Sequence, residues 1–249
     1  MSRSKLIPSL LLGLFFLLIL LASAPARLLL AILPAEQLIL QGLSGSLWEG
    51  TASRVLVKSG SGWLHLGASS WSLSPLSLVV LAPRVEISSH WGRQTLNAVA
   101  TLHSRNDIEF SDVDLLLDAA LLQHYLPVGL VGDIAMQFEE ITIRNQYPES
   151  ATGRIVWQNG GWMSPQGSRQ LGSYAVDVQP LASGGLAGEV ISLAGDLQAN
   201  GPIILDQENY SVDVQLSGSG LDDPQLRQAL QLLAIPEGDT YRVRLKGSL

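Results

Sequence analysis

The chain has 249 residues, 15% of them charged, no cysteine and a formal net charge of −7. That length has room for one or two domains with cores of their own, and the absence of thiols excludes disulfides, thiolate metal sites and cysteine nucleophiles. All 22 Asp and Glu lie at or after Glu36, against twelve Lys and Arg beyond Arg27; an acidic body without a basic stripe argues against nucleic acid as a partner.

Residues 1–5 form a short basic tail carrying Arg3 and Lys5, and residues 6–24 are an uncharged apolar run. About 19 helical residues at about 1.5 Å each reach about 28 Å, close to a bilayer core. The run therefore reads as a transmembrane helix in contact with the lipid bilayer, its N-terminus cytoplasmic by the positive-inside rule. Ala22-Ser23-Ala24 resembles a signal-peptide cleavage motif. The length of the apolar run and Pro25 at the first mature position speak against cleavage. On either reading residues 36–249 lie outside the cytoplasm. A juxtamembrane segment follows over residues 25–39; its apolar part, 28–35, is too short to span and either extends the helix to just before Pro34 or lies flat at the interface.

The body alternates with strand period. Leu96, Ala98, Ala100 and Leu102 occupy one phase, as do Ile134, Met136 and Phe138, then Tyr210, Val212, Val214 and Leu216, then Tyr241, Val243 and Leu245. This is the signature of antiparallel sheet with one packed and one wet face. Across residues 63–73 the apolar phase slips from even to odd, which places a bulge at Ser69-Ser70. Turns are expected at 59–62, Asn159-Gly160-Gly161, Ser183-Gly184-Gly185 and Asn200-Gly201-Pro202. Two segments have helical character: a short one over 118–126, and an amphipathic one over 222–235 with Asp223 as N-cap and Pro224 at the first helical position.

The body also repeats itself. Trp48 and Trp157 are 109 residues apart, Gly45 and Gly153 are 108 apart, and a helix followed by Pro-x-Gly recurs from Pro127 to Pro236, again 109 apart. WSLSPL at 71–76 is echoed by VDVQPL at 176–181. The marks imply two related β-rich modules, residues 40–145 and 146–249, each with one short helix, and the short junction at 147–150 favours a single extended antiparallel sheet. Gly45, Trp48, Gly50, Trp71, Gly153 and Trp157 are the candidate positions for a structural joint or a partner contact: glycine permits close backbone approach and the indole covers the neighbouring sheet.

Chemistry is sparse. No phosphate-binding loop, dinucleotide fingerprint or nucleophile elbow is present. His65, His90, His103 and His124 are scattered without metal-ligand spacing, so no metal or cofactor is expected, and His65 and His103 fall on polar-phase positions. Asp112, Asp114, Asp118, Glu139 and Glu140 read as solvated strand faces rather than paired catalytic carboxylates, so no catalytic residue is assigned. Arg242, Arg244 and Lys246 line one face of the last strand, guarding an edge or docking an acidic partner.

The anchor, SGSLWEG at 44–50, WSLSPL at 71–76, GRIVWQNG at 153–160 followed by LGSY at 171–174, and the closing Gly238-to-Gly247 phrase together resemble the type II secretion system protein N family. That resemblance implies a non-enzymatic, single-pass protein of the bacterial inner membrane with a periplasmic body. It would assist export of folded proteins across the outer membrane through contacts with other secretion components, either the inner-membrane platform or the secretin. Two other readings fit some of the same features. One is an AsmA-like carrier of lipid or other hydrophobes behind a membrane anchor; the other is a soluble periplasmic binding module released by signal cleavage.

Overall fold

The computed structural model describes residues 15–16, 19–33, 36–59, 62–104, 106–124, 129–164, 167–231 and 234–248. The chain is mostly β, with a few short helices, and divides into two compact units, Met1–Trp91 and Gly92–Leu249. The boundary falls inside the first predicted module.

Most of the expected membrane helix at 6–24 lies outside the described residues. Within it Phe15, Phe16 and residues 19–22 are helical, with Phe15 62% and Phe16 61% exposed. Among the described residues no helix is long and apolar enough to cross a membrane. The helix closes at Ser23, whose N–H donates to the Ile19 carbonyl at 2.9 Å. Pro25 is extended and bridges Ser46, so the helix is interrupted there and does not run straight on. A separate turn of helix, Leu29–Ile32, ends at extended Leu33, the conformation that the following Pro34 imposes.

In the first unit, β1 (Leu38–Gln41) and β2 (Ser44–Gly45) both lie against β3 (Glu49–Ser59), which pairs with β4 (Gly62–Leu73), and β4 with β5 (Arg84–Trp91), all antiparallel. The phase slip expected at Ser69-Ser70 occurs two residues earlier. Ser69 and Ser70 pair regularly with Ala52 and Thr51, while Gly67, at φ +84, faces Val55 across the shifted register. Glycine takes the left-handed conformation without penalty, so the bulge settles on it and not on the serines.

The second unit is a large antiparallel sheet. Its strands are β6 (Gln94–Ser104), β7 (Asp107–Asp118), β8 (Leu130–Arg144), β9 (Tyr147–Ser164), β10 (Gly167–Pro180), β11 (Leu186–Ala194), β12 (Gln198–Asp206) and β13 (Asn209–Ser217), then β14 (Ile235–Glu237) and β15 (Thr240–Ser248). Each pairs with its sequence neighbour, except that β15 inserts between β13 and β14. Asn145 and Gln146, at φ +52 and +73, make the two-residue turn that joins β8 to β9.

Two expected turns are strand interior. Asn159-Gly160-Gly161 lies within β9 and Asn200-Gly201-Pro202 within β12. β10 pairs on past Gly160 and Gly161 with shifts in register, and β13 pairs on both sides of Gly201-Pro202, so the chain reverses at neither place. Ser183-Gly184-Gly185 does turn, between β10 and β11.

The expected helix at 118–126 is a 3₁₀ segment, Ala119–His124, opened by the Asp118 carboxylate accepting from the Ala120 N–H at 2.8 Å. The one expected at 222–235 is shorter, Pro224–Leu230, after a 3₁₀ turn at Ser219–Asp222. Its cap is the predicted one: Asp223 Oδ1 accepts from Gln225 N at 2.8 Å and Leu226 N at 3.4 Å. Leu226 and Leu221 bury against Tyr174, Val190, Leu197, Val214 and Leu216, and this cluster is the core of the second unit.

Candidate functional site

In the first unit the structure gathers four of the six candidate residues around one tight turn. Ser46 N–H donates to the Glu49 carbonyl at 2.8 Å, and Ser46 Oγ accepts from Glu49 N at 3.0 Å. Gly45, at φ +87, brings the chain into the turn; a Cβ there would lie 2.6 Å from the Glu49 carbonyl oxygen. Gly50 leaves it beneath the Trp71 ring, where any side chain would collide. Trp71 Nε1 donates to the Leu47 carbonyl at 3.1 Å. Trp48 points the other way: its Nε1 donates to the Leu21 carbonyl at 2.9 Å, and Leu47 N donates to Ala24 O at 2.8 Å. The turn thus holds the end of the N-terminal helix through one indole and is itself held by the other.

Gly153 and Trp157 sit together on β9 in the second unit. Trp157 Nε1 donates to the Val131 carbonyl at 3.0 Å, 26 residues back, much as Trp48 bonds 27 residues back. Its ring lies 5.7 Å from that of Tyr174. Tyr174 in turn donates its buried hydroxyl to the Leu197 carbonyl at 2.9 Å, and burial pushes the phenol up to about 12. Gly153 lies against Phe138 of β8 and Val178 of β10.

Sequence reasoning missed an open groove of about 690 Å³ beside Gly153, lined by Asp112, Asp114, Phe138, Arg154 and Asp177 among others. Asp112, at φ +52, lies where β7 shifts register against β6, and Glu139 where β8 shifts register against β9, so the groove opens where both strands bulge. Arg154 and Asp177 are direct cross-strand partners joined by two hydrogen bonds, and the guanidinium holds the Asp177 carboxyl below its ordinary range. The sequence offers only a single Arg on β9 and a single Asp on β10, and it is the register that shows that they meet.

Histidine placement differs from expectation in one case. His65 is half-buried against Trp91, ring centroids 4.4 Å apart, while His103 is exposed and contacts Glu109 at 2.9 Å. Among the described residues no group of three potential ligands is placed to hold a metal ion.

The last strand is only partly an edge. β14 covers β15 at residues 240–242 and leaves 243–248 without a neighbour on that side among the described residues. The basic run is not bare either. Arg242 grips Asp213 with two hydrogen bonds of 2.5 and 2.9 Å, and Arg244 reaches the same carboxylate at 3.7 Å and Glu237 at 3.8 Å. The Arg242 hydrogen bonds hold the Asp213 carboxyl below its usual 3.8. A depressed carboxyl pKa stabilises the fold above the ordinary carboxylate range, and that contribution is lost as pH falls through the depressed folded value. Asp213→Asn is therefore expected to be less stable than the parent chain at neutral pH and to close that gap as pH falls below the ordinary carboxylate range. Urea midpoints measured across that range check it, and a gap independent of pH refutes the pairing.

The family profile described as "Type II secretion system (T2SS), protein N" matches residues 36–244. A protein of Aeromonas hydrophila named "Type II secretion system protein N" is 25% identical over 246 residues, covering 92% of this chain and 93% of its own length. One of the same name from Vibrio cholerae serotype O1 is 29% identical over 177 residues, 66% of this chain and 68% of its own. No solved structure matches the chain.

Proposed function

Because the chain belongs to the type II secretion system protein N family, we propose that it is a non-enzymatic component of a type II secretion system that supports export of folded proteins across the outer membrane. The observation that carries this reading is the family match over residues 36–244, which takes in all but the last few residues of the strand-forming body.

Residues 6–24 anchor the chain in the inner membrane, with the N-terminus cytoplasmic and residues 36–249 periplasmic. Arg3 and Lys5 ahead of the apolar run support that orientation. The body is a duplicated module, 40–145 and 146–249. The order of elements supports it: β3 and β4, a Pro-led connection at Pro75, then β5, β6, β7, a helical connection and β8. After it come β9 and β10, a connection at Pro180, then β11, β12, β13, a helical connection and β15. Gly45, Trp48, Gly50 and Trp71 in one module, and Gly153 and Trp157 in the other, serve as structural joints.

Contact with the inner-membrane platform or the secretin runs through strand addition on residues 243–248, where main-chain groups of β15 are free to pair. The charged rim of the groove at Arg154 and Asp177 suits a polar partner and disfavours an acyl chain. That weighs against the AsmA-like carrier reading.

Clean deletion of the gene is expected to trap exported proteins in the periplasm, with full secretion restored by the intact chain. A photocrosslinker at Lys246 should capture a platform subunit or the secretin in secreting cells. Normal secretion after deletion, in a strain with no second copy, overturns the proposed role.

A further inference from the structure

The connection between β4 and β5 is the most exposed apolar feature among the described residues. Residues 74–83 read SPLSLVVLAP, without a charge. Leu76, Val79, Val80 and Leu81 are 79%, 80%, 72% and 83% exposed, more than any other large hydrophobic side chain described. Isolated surface leucines need no explanation; four in six residues at one tip do.

The tip is nevertheless ordered from within. A short helix, Pro75–Val79, is followed by Leu81 at φ +58. Ser77 Oγ donates to Ser74 O at 2.6 Å and accepts from Arg84 N at 2.9 Å. Leu81 N donates to Leu78 O and Ala82 N to Ser77 O, each at 3.1 Å. With so many of its own polar groups paired, the segment presents apolar side chains outward at little cost in unmet backbone hydrogen bonds. That is the condition for backbone to enter a low-dielectric medium.

Its position is fixed by the joint described above. Leu73 N donates to the Trp48 carbonyl at 2.6 Å, and the Trp48 indole bonds Leu21, at the end of the N-terminal helix. The tip therefore rises from the same end of the first unit at which the apolar N-terminal segment leaves. Charge points the same way. Beyond the apolar run, residues 25–91 hold four Lys and Arg against three Asp and Glu, whereas residues 92–249 hold nine against nineteen. From Gly50 to Val85 there is no acidic residue, and Arg84 stands at the base of the tip.

We propose that residues 74–83 form a second membrane contact: Leu76, Val79, Val80 and Leu81 enter the periplasmic leaflet beside the anchor, with Arg27 and Arg84 at the level of anionic headgroups. This rests on the anchored reading above. An apolar wedge flanked by cations binds an anionic bilayer surface by adding burial to electrostatic attraction. Held at two points, the first unit is oriented against the membrane, whereas a single helical tether would leave it free to swivel.

The absence of native cysteine allows a clean test. Single cysteines at Phe16, Val80 and Lys58 of the full chain carry an environment-sensitive dye in phosphatidylethanolamine–phosphatidylglycerol vesicles containing brominated lipid. Phe16 reports the anchor, Val80 the tip, and Lys58 the opposite end of the β3–β4 hairpin. The expected result is quenching at Phe16 and Val80 but not at Lys58. Replacing phosphatidylglycerol by phosphatidylcholine should weaken the Val80 quenching and leave Phe16 unchanged. Val79→Asp combined with Leu81→Asp should abolish it at Val80 alone, with protease resistance of the body preserved. Quenching at Phe16 with none at Val80 overturns the tip contact and leaves the anchor standing. Quenching at neither site overturns the anchored reading and the tip contact together. A Val80 site shielded in secreting cells yet unquenched in vesicles makes the tip a protein-docking face, which also overturns the proposal.

Discussion

Trp157→Ala is expected to destabilise the second unit by about 3 kcal/mol or more, and Trp157→Phe by about 1 kcal/mol. The indole packs against the core built on Tyr174, Leu197 and Leu226 and lies over Gly160, whose missing side chain leaves room for the ring. Alanine removes that packing on β9, and strands paired on both sides have little freedom to close the space. Phenylalanine keeps most of the apolar contact but leaves the Val131 carbonyl without the indole N–H. Equilibrium urea unfolding of the full chain in detergent, followed by near-ultraviolet dichroism, separates the two variants. Equal losses would mean that the hydrogen bond carries the position and the ring does not.

How much of this was legible beforehand depended on the range of the interaction. Alternation at 210–216 and 241–245 marks β13 and β15, and their direct pairing follows once the helix between them is recognised from Asp223 and Pro224. Those signals are local. Asn159-Gly160 and Asn200-Gly201 carry equally strong local signals for turns, yet both lie inside strands, because pairing with long neighbours overrides a two-residue preference. No local signal marks the tip at 74–83; its exposure depends on what lies around it, which no periodicity encodes. Glycine and tryptophan could be chosen as a recurring pair, but the bond from Trp48 to Leu21 required knowing where the chain returns. The groove at Asp112 and Arg154 was hidden for the same reason: bulges on two neighbouring strands must come together before it exists.

Gly153→Val is expected to cost about 3 kcal/mol, through close contact with neighbouring backbone and not through backbone torsion. Gly153 does not lie in the left-handed region, so a larger residue meets no conformational penalty of its own. A Cβ there would instead lie 2.5 Å from Phe138 Cδ1 and 2.7 Å from Phe138 Cα, and would strike the Gln137 carbonyl oxygen. Two of those three atoms are main chain, held by the β8–β9 ladder that also sets the neighbouring bulge at Phe138–Glu140. Adding Phe138→Ala to the valine variant therefore should not restore stability, since trimming the ring leaves the backbone collisions in place. Gly184→Ala supplies the contrast. That glycine has φ +88 and nothing within 4 Å of an added Cβ, so its substitution costs only the torsional strain of about 1 kcal/mol. Urea midpoints for the three variants decide the matter. Rescue by Phe138→Ala would show that the side chain, and not the approach of β8 to β9, is what reserves position 153 for glycine.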